Sequence, residues 1–331
     1  MKYILGIDQG STKTHAALAS TDGHILCTAK APGAEHHFDG LPMQTGYLRE
    51  AVSNLRLPFD WNDVVAVGGG ITGIDFPGEH LLFENYLQCL FPNARVFCEN
   101  DVMATLKGGS LNTYGAAICC GTGGNIVVIA PNGHRFIYGM HLERGLNGGS
   151  AVRERAIWAV IKSDTGRSPK TMLTEHVLNF FKMPTVTDLL IANVKGQIKY
   201  TDMKHMPVVV CQCAVAGDAA AISILQEMGH ELADAVADQA LRLGMNGLAF
   251  DLVLSGSVFK GPGTHLSDAV AARMRERCPL ANIINARYEP VVGGVIMAFE
   301  QIFGNIGQDV LDALGNTAAA LGLVRQTDNG G

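Results

Sequence analysis

Short apolar runs rich in β-branched residues dominate the beginning of the chain. Three of them, at residues 3–7, 14–19 and 25–29, are separated by polar or glycine-containing turns, which is typical of strands in a meander. Helical and strand patterns then alternate: a helix around 41–55, a strand at 64–67 that ends in Gly68, a helix over 78–90 and a strand at 95–98. The pattern predicts an α/β fold that opens with a meander.

The same order of patterns begins again near residue 115. "GAAICCG", "NIVVIAP" and "HRFIYG" predict three more strands, helices follow, and a late strand is predicted at 252–255. Near-helical spacing of apolar residues predicts one long amphipathic helix after Gly217 and Asp218. We therefore predict a structural duplication, with one lobe over residues 1–114 and a second over 115–325, whose last helix packs back on the first.

Two stretches give weaker patterns. Residues 165–207 contain prolines and the apolar "VLNFF", which predict mixed helix and loop in a helical insertion. The tail "QTDNGG" at 326–331 is polar and ends in glycine, so we expect it to be disordered.

Composition narrows the choice of ligands. The 331 residues are 47% hydrophobic and 17% charged, which indicates a compact globular protein. A net charge of -6 without a basic run argues against nucleic acid and membrane partners, so small molecules are the expected ligands. The start "MKYILGID" is too short for the core of a signal peptide, and no apolar run reaches the length of a membrane span. We expect a cytoplasmic location.

The cysteines favour a structural interpretation. None of the eight forms a C-x-x-C pair, and most lie in apolar stretches such as "AAICCGTGG" and "VVVCQCAVA". We interpret them as reduced core thiols and not as metal or cluster ligands.

Small and hydrogen-bonding residues gather at the first hairpin turn of each half. They are Gly10, Ser11, Thr12 and Lys13 in the first turn, and Gly121, Thr122, Gly123 and Asn125 in the second. Glycines let backbone N–H groups approach a phosphate, and hydroxyls add donors. Either turn alone is typical of an ordinary hairpin, whereas two at matching places favour a phosphate site. Asp8 ends its strand and is suited to hold Mg²⁺.

Other phosphate-binding motifs fit less well. The sequence has no Gly-Lys dipeptide, which excludes a P-loop. "GGGITG" at 68–73 satisfies G-x-G-x-x-G after a predicted strand. However, Asp75, Phe76 and Pro77 follow where a dinucleotide-binding fold begins its helix. We interpret this match as chance.

With these motifs the chain resembles the sugar kinase, actin and heat-shock chaperone superfamily of ATPases. Within it, the chain is similar to the family of N-acetylglucosamine kinases and of the ATPases that activate benzoyl-CoA reductase and hydroxyacyl-CoA dehydratases. The resemblance covers residues 2–303. It implies two duplicated ribonuclease H-like lobes that bind ATP and Mg²⁺ in an interlobe cleft through the two hairpins. In "LVLSGSVFKG", Gly256 and Ser257 stand in place of the usual glycine pair of the adenosine motif.

The resemblance also implies roles on the acceptor side. Asp101 would be the general base that takes the proton of the acceptor hydroxyl as it attacks the γ-phosphate, with Asn100 orienting it. From the residues alone, either side chain is more typical of a helix N-cap. Thr72 and Gly73 are expected to line the substrate side, and so is Asn125.

The acceptor site departs from the family pattern. His36 stands where N-acetylglucosamine kinases place a sugar-contacting Asn, and Asn147 and Gly148 replace the two acidic residues of a Gly-Asp-Glu-Gly-Ser stretch. Because carboxylates are strong acceptors for sugar hydroxyls, their loss predicts a changed acceptor. Glu35, His36 and His37 are either replacement ligands or solvated loop residues.

We therefore expect an ATP-dependent kinase for an amino sugar or a related sugar. One alternative is an ATPase that acts on a partner enzyme, as the dehydratase activators do with a cysteine-bound iron–sulfur cluster. Another is a nucleotide or sugar sensor without turnover, which the missing acidic pair favours and the retained Asp101 disfavours. The resemblance also implies a homodimer.

Overall fold

The computed structural model describes residues 1–198 and 205–325. By its internal contacts the chain forms two compact units. The first contains Met1–Ala117, the short piece Ile137–Gly139 and the segment from Ile284 onward. The second contains Ile118–Phe136 and Met140–Ile283. The chain thus leaves the first unit for the second and later returns.

A five-stranded sheet forms the base of the first unit. Its strands are β1 (Tyr3–Gln9), β2 (Lys13–Ser20), β3 (Ile25–Pro32), β4 (Val64–Ile71) and β5 (Arg95–Glu99), in the order β3-β2-β1-β4-β5. β1 to β3 are the predicted meander, antiparallel to one another. β1, β4 and β5 are parallel, so their carboxyl ends reach the same edge of the sheet.

Four helices connect these strands or follow them. They are α1 (His36–Asp39), α2 (Leu41–Ser53), α3 (His80–Leu90) and α4 (Asp101–Lys107). The helical patterns predicted around 41–55 and 78–90 are confirmed as α2 and α3. Both helices cover one face of the sheet, where Leu48 and Phe83 are buried beside Leu5 and Val67.

The second unit repeats this arrangement of strands. The second sheet and the helices that accompany it are β6 (Gly115–Cys120), β7 (Gly124–Ile129), β8 (Arg135–Ile137), α5 (Gly148–Asp164), α6 (Leu173–Phe181), α7 (Val186–Val194), α8 (Met206–Val215), α9 (Ala219–Arg242), β9 (Phe250–Ser255), α10 (His265–Arg277) and β10 (Ala281–Asn285). The sheet order β10-β9-β6-β7-β8 is the order of the first sheet read from the other edge. The predicted α/β duplication is therefore confirmed in the described part of the chain.

The predicted long helix is α9. Asp218 caps it, because its Oδ1 accepts from the backbone N of Ala221 at 2.9 Å. The same carboxylate accepts from Thr171 Oγ1 at 2.8 Å and from the N of Met172 at 2.7 Å, so it also fixes the loop before α6. Within residues 165–207 the described helices are α6, α7 and the start of α8. Residues 199–204 and the predicted disordered tail 326–331 lie outside the described residues.

The segment after β10 forms α11 (Pro290–Phe303) and α12 (Gln308–Ala320). α11 packs closely on β1 and β4 because glycines face it. A Cβ on Gly6 would lie 2.5 Å from the N of Val295, and one on Gly68 would lie 2.2 Å from the carbonyl of Gly294. Residues 68–70 therefore lie inside strand β4, where they admit a neighbouring helix, and do not form a dinucleotide-binding loop.

The predicted lobes 1–114 and 115–325 differ from the observed division at the C-terminal end. Both α11 and α12, and not the last helix alone, belong to the first unit. The physical reason is the apolar sequence of α11, in which Val291, Val295 and Phe299 are buried in the second core of the first sheet.

No single described helix is both long enough and apolar enough to cross a membrane. The helices α8 and α9 reach that length and composition only when they are counted together, and the chain bends by 114° between them.

Candidate active site

The first hairpin joins β1 to β2. Its turn is closed by a hydrogen bond from the N of Gly10 to the O of Lys13 at 2.9 Å, which leaves Ser11 and Thr12 exposed. Lys13 Nζ lies 3.6 Å from Glu289 Oε2 at the start of α11. Since a half-exposed ion pair of this kind contributes at most about 1 kcal/mol, it does not prevent Lys13 from turning to an anion.

Asp8 lies at the carboxyl end of β1 and is only 6% exposed. Burial raises the pKa of its carboxyl to about 6; Lys13 and Arg325 oppose this shift and Glu289 adds to it. His15 pairs with Asp8 on the adjacent strand β2. Burial lowers the pKa of His15 to about 4, so this side chain carries no charge at neutral pH. A buried carboxylate of this kind is a suitable oxygen ligand for Mg²⁺, which prefers one or two carboxylates besides phosphate oxygens.

Asp101 is the first residue of α4, directly after β5. The capping role falls to Asn100, whose Oδ1 accepts from the N of Val102 at 3.1 Å. Asn100 Nδ2 in turn donates to Asp75 Oδ1 at 2.9 Å. The sequence left the cap open between Asn100 and Asp101, and the structure assigns it to Asn100.

Four carboxyl groups from separate segments, Asp8, Glu35, Asp75 and Asp101, influence one another. Burial raises the pKa of Asp101 to about 8, and the charges of Asp8, Asp75 and Glu35 add to this shift. Burial likewise raises the pKa of Glu35 and of Asp75. Such a cluster holds a carboxylate that takes up a proton near neutral pH.

The predicted substrate residues His36, Thr72 and Gly73 come together beside this cluster. The backbone N of His36 donates to Gln44 Oε1 at 2.6 Å, and Gln44 Nε2 donates to the O of Thr72 at 3.0 Å. Thr72 Oγ1 lies 3.4 Å from Glu35 Oε2. Gly73 has φ +81°, and a Cβ there would lie 2.9 Å from His36 Nδ1.

The sequence did not reveal the contact of Gln44 with Thr72 or the influence of Asp75 on Asp101. A signal for Asp75 exists, because it follows β4, whose carboxyl end lies at the same edge as those of β1 and β5. For Gln44 there is none, because it lies in the first turns of an ordinary amphipathic helix.

The hairpin of the second unit is held by the start of α5. The N of Gly121 donates to the O of Gly123 at 2.9 Å, as Gly10 does in the first hairpin. Outside the turn, the N of Gly149 donates to the O of Gly121 at 2.8 Å, and the N of Ser150 donates to the O of Thr122 at 3.2 Å. The first N–H groups of α5 therefore fix the backbone of this turn.

Asn147 and Gly148, the two positions that depart from the family pattern, belong to the same support. Asn147 Oδ1 accepts from the N of Gly124 at 2.7 Å. Gly148 has φ +54°, and a Cβ there would lie 2.0 Å from the O of Gly123. A sugar-binding role for Asn147 stays a prediction, and in this conformation its side-chain oxygen holds the hairpin.

The remaining predicted residues also lie in the second unit. Gly256, after β9, has φ +105°, and a Cβ there would lie 2.2 Å from the carbonyl of Cys120, so the fold itself requires glycine at this position. Ser257 follows it, and Asn125 Oδ1 accepts from the N of Ile126 at 2.8 Å. Their contacts with adenosine and acceptor stay predictions.

Five of the eight cysteines are buried, whereas Cys27 and Cys119 are partly buried and Cys89 is exposed. The buried ones are Cys98, Cys120, Cys211, Cys213 and Cys278. Burial raises the pKa of Cys211 to about 11, which keeps it as an unreactive thiol. The group of potential metal ligands found among the described residues is His36, His37 and Glu79, without a cysteine.

Comparison with known proteins agrees with this geometry. Residues 5–298 match the model of the BadF/BadG/BcrA/BcrD ATPase family. The N-acetylmuramic acid/N-acetylglucosamine kinase of Clostridium acetobutylicum is 24% identical over 302 residues, which cover 90% of this chain and 98% of that protein. The N-acetyl-D-glucosamine kinase of Dictyostelium discoideum is 24% identical over 316 residues, with the same coverage. Among solved structures, a proposed N-acetylglucosamine kinase from Chromobacterium violaceum superposes with a TM-score of 0.68 at 19% identity, over 90% of this chain and 99% of that one.

Proposed function

The chain belongs to the BadF/BadG/BcrA/BcrD ATPase family, and from this membership we propose that it is an ATP-dependent kinase that transfers the γ-phosphate to a hydroxyl of an amino sugar or a related sugar. Two relatives with 98% of their length covered carry N-acetylglucosamine kinase names, which supports a sugar acceptor. The observation that carries the proposal is Asp101, the first residue of α4, whose carboxyl lies among Asp8, Asp75 and Glu35 and has a pKa raised to about 8.

Asp101 acts as the general base. It takes the proton of the acceptor hydroxyl while the oxygen of that hydroxyl attacks the γ-phosphorus and the bond to ADP breaks. A carboxylate with a pKa near the working pH is a stronger base than an exposed one, provided that it is ionised. Asn100 holds Asp75 beside it through a 2.9 Å hydrogen bond, which keeps the carboxyl groups in place around the acceptor.

The first hairpin and Asp8 supply a phosphate site, and the second hairpin is a second proposed phosphate-binding turn. Backbone N–H groups of the first turn and the exposed hydroxyls of Ser11 and Thr12 donate to phosphate oxygens. Asp8 is the residue that would hold Mg²⁺, which when bound offsets the charge of the phosphates. Burial leaves the ionised Asp8 carboxylate poorly solvated and raises its pKa, so a bound cation would supply the charge stabilisation that water does not.

The experiment is a coupled ADP-release assay over amino sugars, N-acetylated sugars, hexoses and polyols, with the products identified by phosphorus NMR. Release that depends on one acceptor, together with a sugar phosphate, supports the kinase. Release at one rate with every acceptor and with none identifies an ATPase instead. ATP binding without any release identifies a nucleotide sensor.

A further inference from the structure

Two histidines and a glutamate of the first unit direct three ligand atoms at one another. His36 Nε2 lies 3.4 Å from Glu79 Oε1, and His37 Nε2 lies 3.2 Å from the same oxygen. The two imidazole rings are 4.0 Å apart at their centroids. The His36 and Glu79 side chains are largely buried, at 10% and 15% exposure, whereas His37 is an exposed residue whose side chain is 22% exposed.

The three side chains are held in this orientation by other contacts. The second oxygen of Glu79 accepts from the backbone N of Asp75 and of Phe76, both at 2.8 Å. The His36 ring meets Phe83 edge-on at 5.5 Å, and the His37 ring meets Phe76 edge-on at 5.9 Å. Little side-chain freedom remains to be lost when a ligand binds.

The hydrogen bonds of His36 leave a position for a cation. Its Nδ1 lies 3.2 Å from Gln44 Oε1, and this amide cannot be reversed without loss, since its Nε2 donates to the O of Thr72. When Nδ1–H donates to Gln44, the lone pair of Nε2 points to a carboxylate oxygen. Two acceptors then face each other unless a proton or a metal cation lies between them. Histidines that bind metals are oriented in this way, by a second partner on the other ring nitrogen.

Two of the three ligand distances match those of a metal site. Zn–N and Zn–O bonds of about 2.0–2.2 Å in a tetrahedral site place neighbouring ligand atoms about 3.3 Å apart, close to the 3.4 and 3.2 Å between Glu79 Oε1 and the two Nε2 atoms. All three ligand atoms lie within 4.8 Å of one another. A mixed imidazole and carboxylate set suits Zn²⁺, Co²⁺ or Ni²⁺, whereas Mg²⁺ prefers oxygen ligands alone. We propose that His36, His37 and Glu79 form a binding site for a Zn²⁺-type transition-metal cation, separate from the Mg²⁺ that Asp8 would hold.

Such a cation connects two loops of the first unit. It ties residues 36 and 37, at the start of α1, to Glu79, whose other oxygen already fixes the backbone at residues 75 and 76. Asp75 in turn accepts from Asn100. The bound ion therefore stabilises the loop that carries Asp75, and it leaves at least one coordination position for water.

The test uses tag-free, reduced, EDTA-treated protein titrated with Co²⁺ and with Zn²⁺. We expect one equivalent of Co²⁺ to give the visible absorption of a four- or five-coordinate site. Zn²⁺ should displace the Co²⁺, whereas a large excess of Mg²⁺ should not. His37→Ala and Glu79→Gln should weaken Zn²⁺ binding at least about tenfold. His24→Ala is the matched control, since His24 is a half-exposed histidine of the same unit paired with Asp22.

The measurement separates this site from adventitious binding. Thiolate-to-cobalt charge-transfer bands would show that the metal lies on cysteines, and equal affinities in the wild type, His37→Ala and Glu79→Gln would show that it lies elsewhere; either result overturns the proposal. His37→Ala keeps both backbone contacts of Glu79, so its thermal unfolding without metal should match the wild type. Neither readout depends on kinase activity, so failure of the proposed function leaves this test intact.

Discussion

The hairpins at residues 10–13 and 121–123 occupy matching places in the two sheets but are held by different forces. The first is an open turn with exposed Ser11 and Thr12, and its surroundings are charged, with Asp8, Lys13 and Glu289 influencing one another. The second is fixed by the N–H groups that begin α5 and by Asn147, through backbone contacts so close that Gly148 admits no side chain.

The two turns therefore depend on different interactions. Titratable groups surround the first turn, and their protonation depends on pH. Backbone hydrogen bonds hold the second turn, and its shape depends on glycine at residue 148. Substitutions should therefore act through electrostatics in the first unit and through steric fit in the second.

The largest effect is expected at Gly148. Gly148→Ala places a Cβ 2.0 Å from the O of Gly123 at φ +54°, so the start of α5 must move away from the hairpin. We expect the free energy of unfolding to fall by at least about 3 kcal/mol, with loss of ATP binding. Gly145→Ala is the control, since its Cβ meets nothing nearer than Arg155 Nη2 at 3.6 Å. Equal melting temperatures for the two variants would contradict a steric support.

A smaller effect, dependent on pH, is expected in the first unit. The pKa of Asp101 is raised from 3.8 to about 8 in the folded protein, so between these values the folded state binds more protons than the unfolded state. Stability therefore falls as pH rises through this window, by at most about 1.4 kcal/mol per pH unit from this group.

Asp101→Asn removes the ionisation. Its melting temperature relative to wild type should rise between pH 5 and pH 8, by an amount equivalent to about 1–3 kcal/mol in calorimetry. Asp63→Asn serves as control, because Asp63 has a lowered pKa and stays ionised throughout this range. If the melting temperatures of wild type and Asp101→Asn depend on pH in the same way, the pKa of Asp101 is not raised in the folded protein.

A tenfold effect is expected at the two glycines that open the turns. A Cβ on Gly10 or on Gly121 meets nothing nearer than 3.9 or 3.8 Å, so the fold does not require glycine at either position. If these turns bind phosphate, alanine should leave the melting temperature nearly unchanged and weaken ATP binding about tenfold, equivalent to about 1.4 kcal/mol, in calorimetric titration. Unchanged ATP affinity in both variants would show that the two turns do not bind the phosphates of ATP.

The smallest effect is expected at Asn147. Asn147→Ala removes one hydrogen bond to the N of Gly124, which should cost about 1 kcal/mol of stability and weaken ATP binding, whereas Asn147→Asp keeps an acceptor oxygen and should stay close to wild type. Melting temperature and ATP affinity report the result. A higher KM for the acceptor with ATP affinity unchanged would instead support a direct role in sugar binding.

Much of the fold could be predicted from sequence periodicity. The meander, the repeated order of elements and the α9 helix follow from local patterns and turn residues. The return of α11 could not be predicted in full, because a helix that is apolar on all sides does not specify which sheet it covers. β10 was missed because the five residues of this strand are mostly only partly buried and lack a clear alternation.

Sequence alone identifies candidate site residues where they lie next to one another along the chain. The two hairpins and the Asn100–Asp101 pair are local motifs. The contacts of Asn147 with Gly124, of Gln44 with Thr72 and of Glu79 with both histidines join distant segments, and only the packed structure brings them together.

The most direct test of the central claim measures transfer of the γ-phosphate to the acceptor against pH, for wild type and Asp101→Asn, with ATP and Mg²⁺ bound. A general base with a raised pKa predicts that kcat/KM of the wild type rises with pH toward about 8, and that the variant still binds ATP but transfers phosphate about 10²- to 10⁴-fold more slowly, without this pH dependence. A variant that transfers at the wild-type rate, with the same pH profile, would contradict the account.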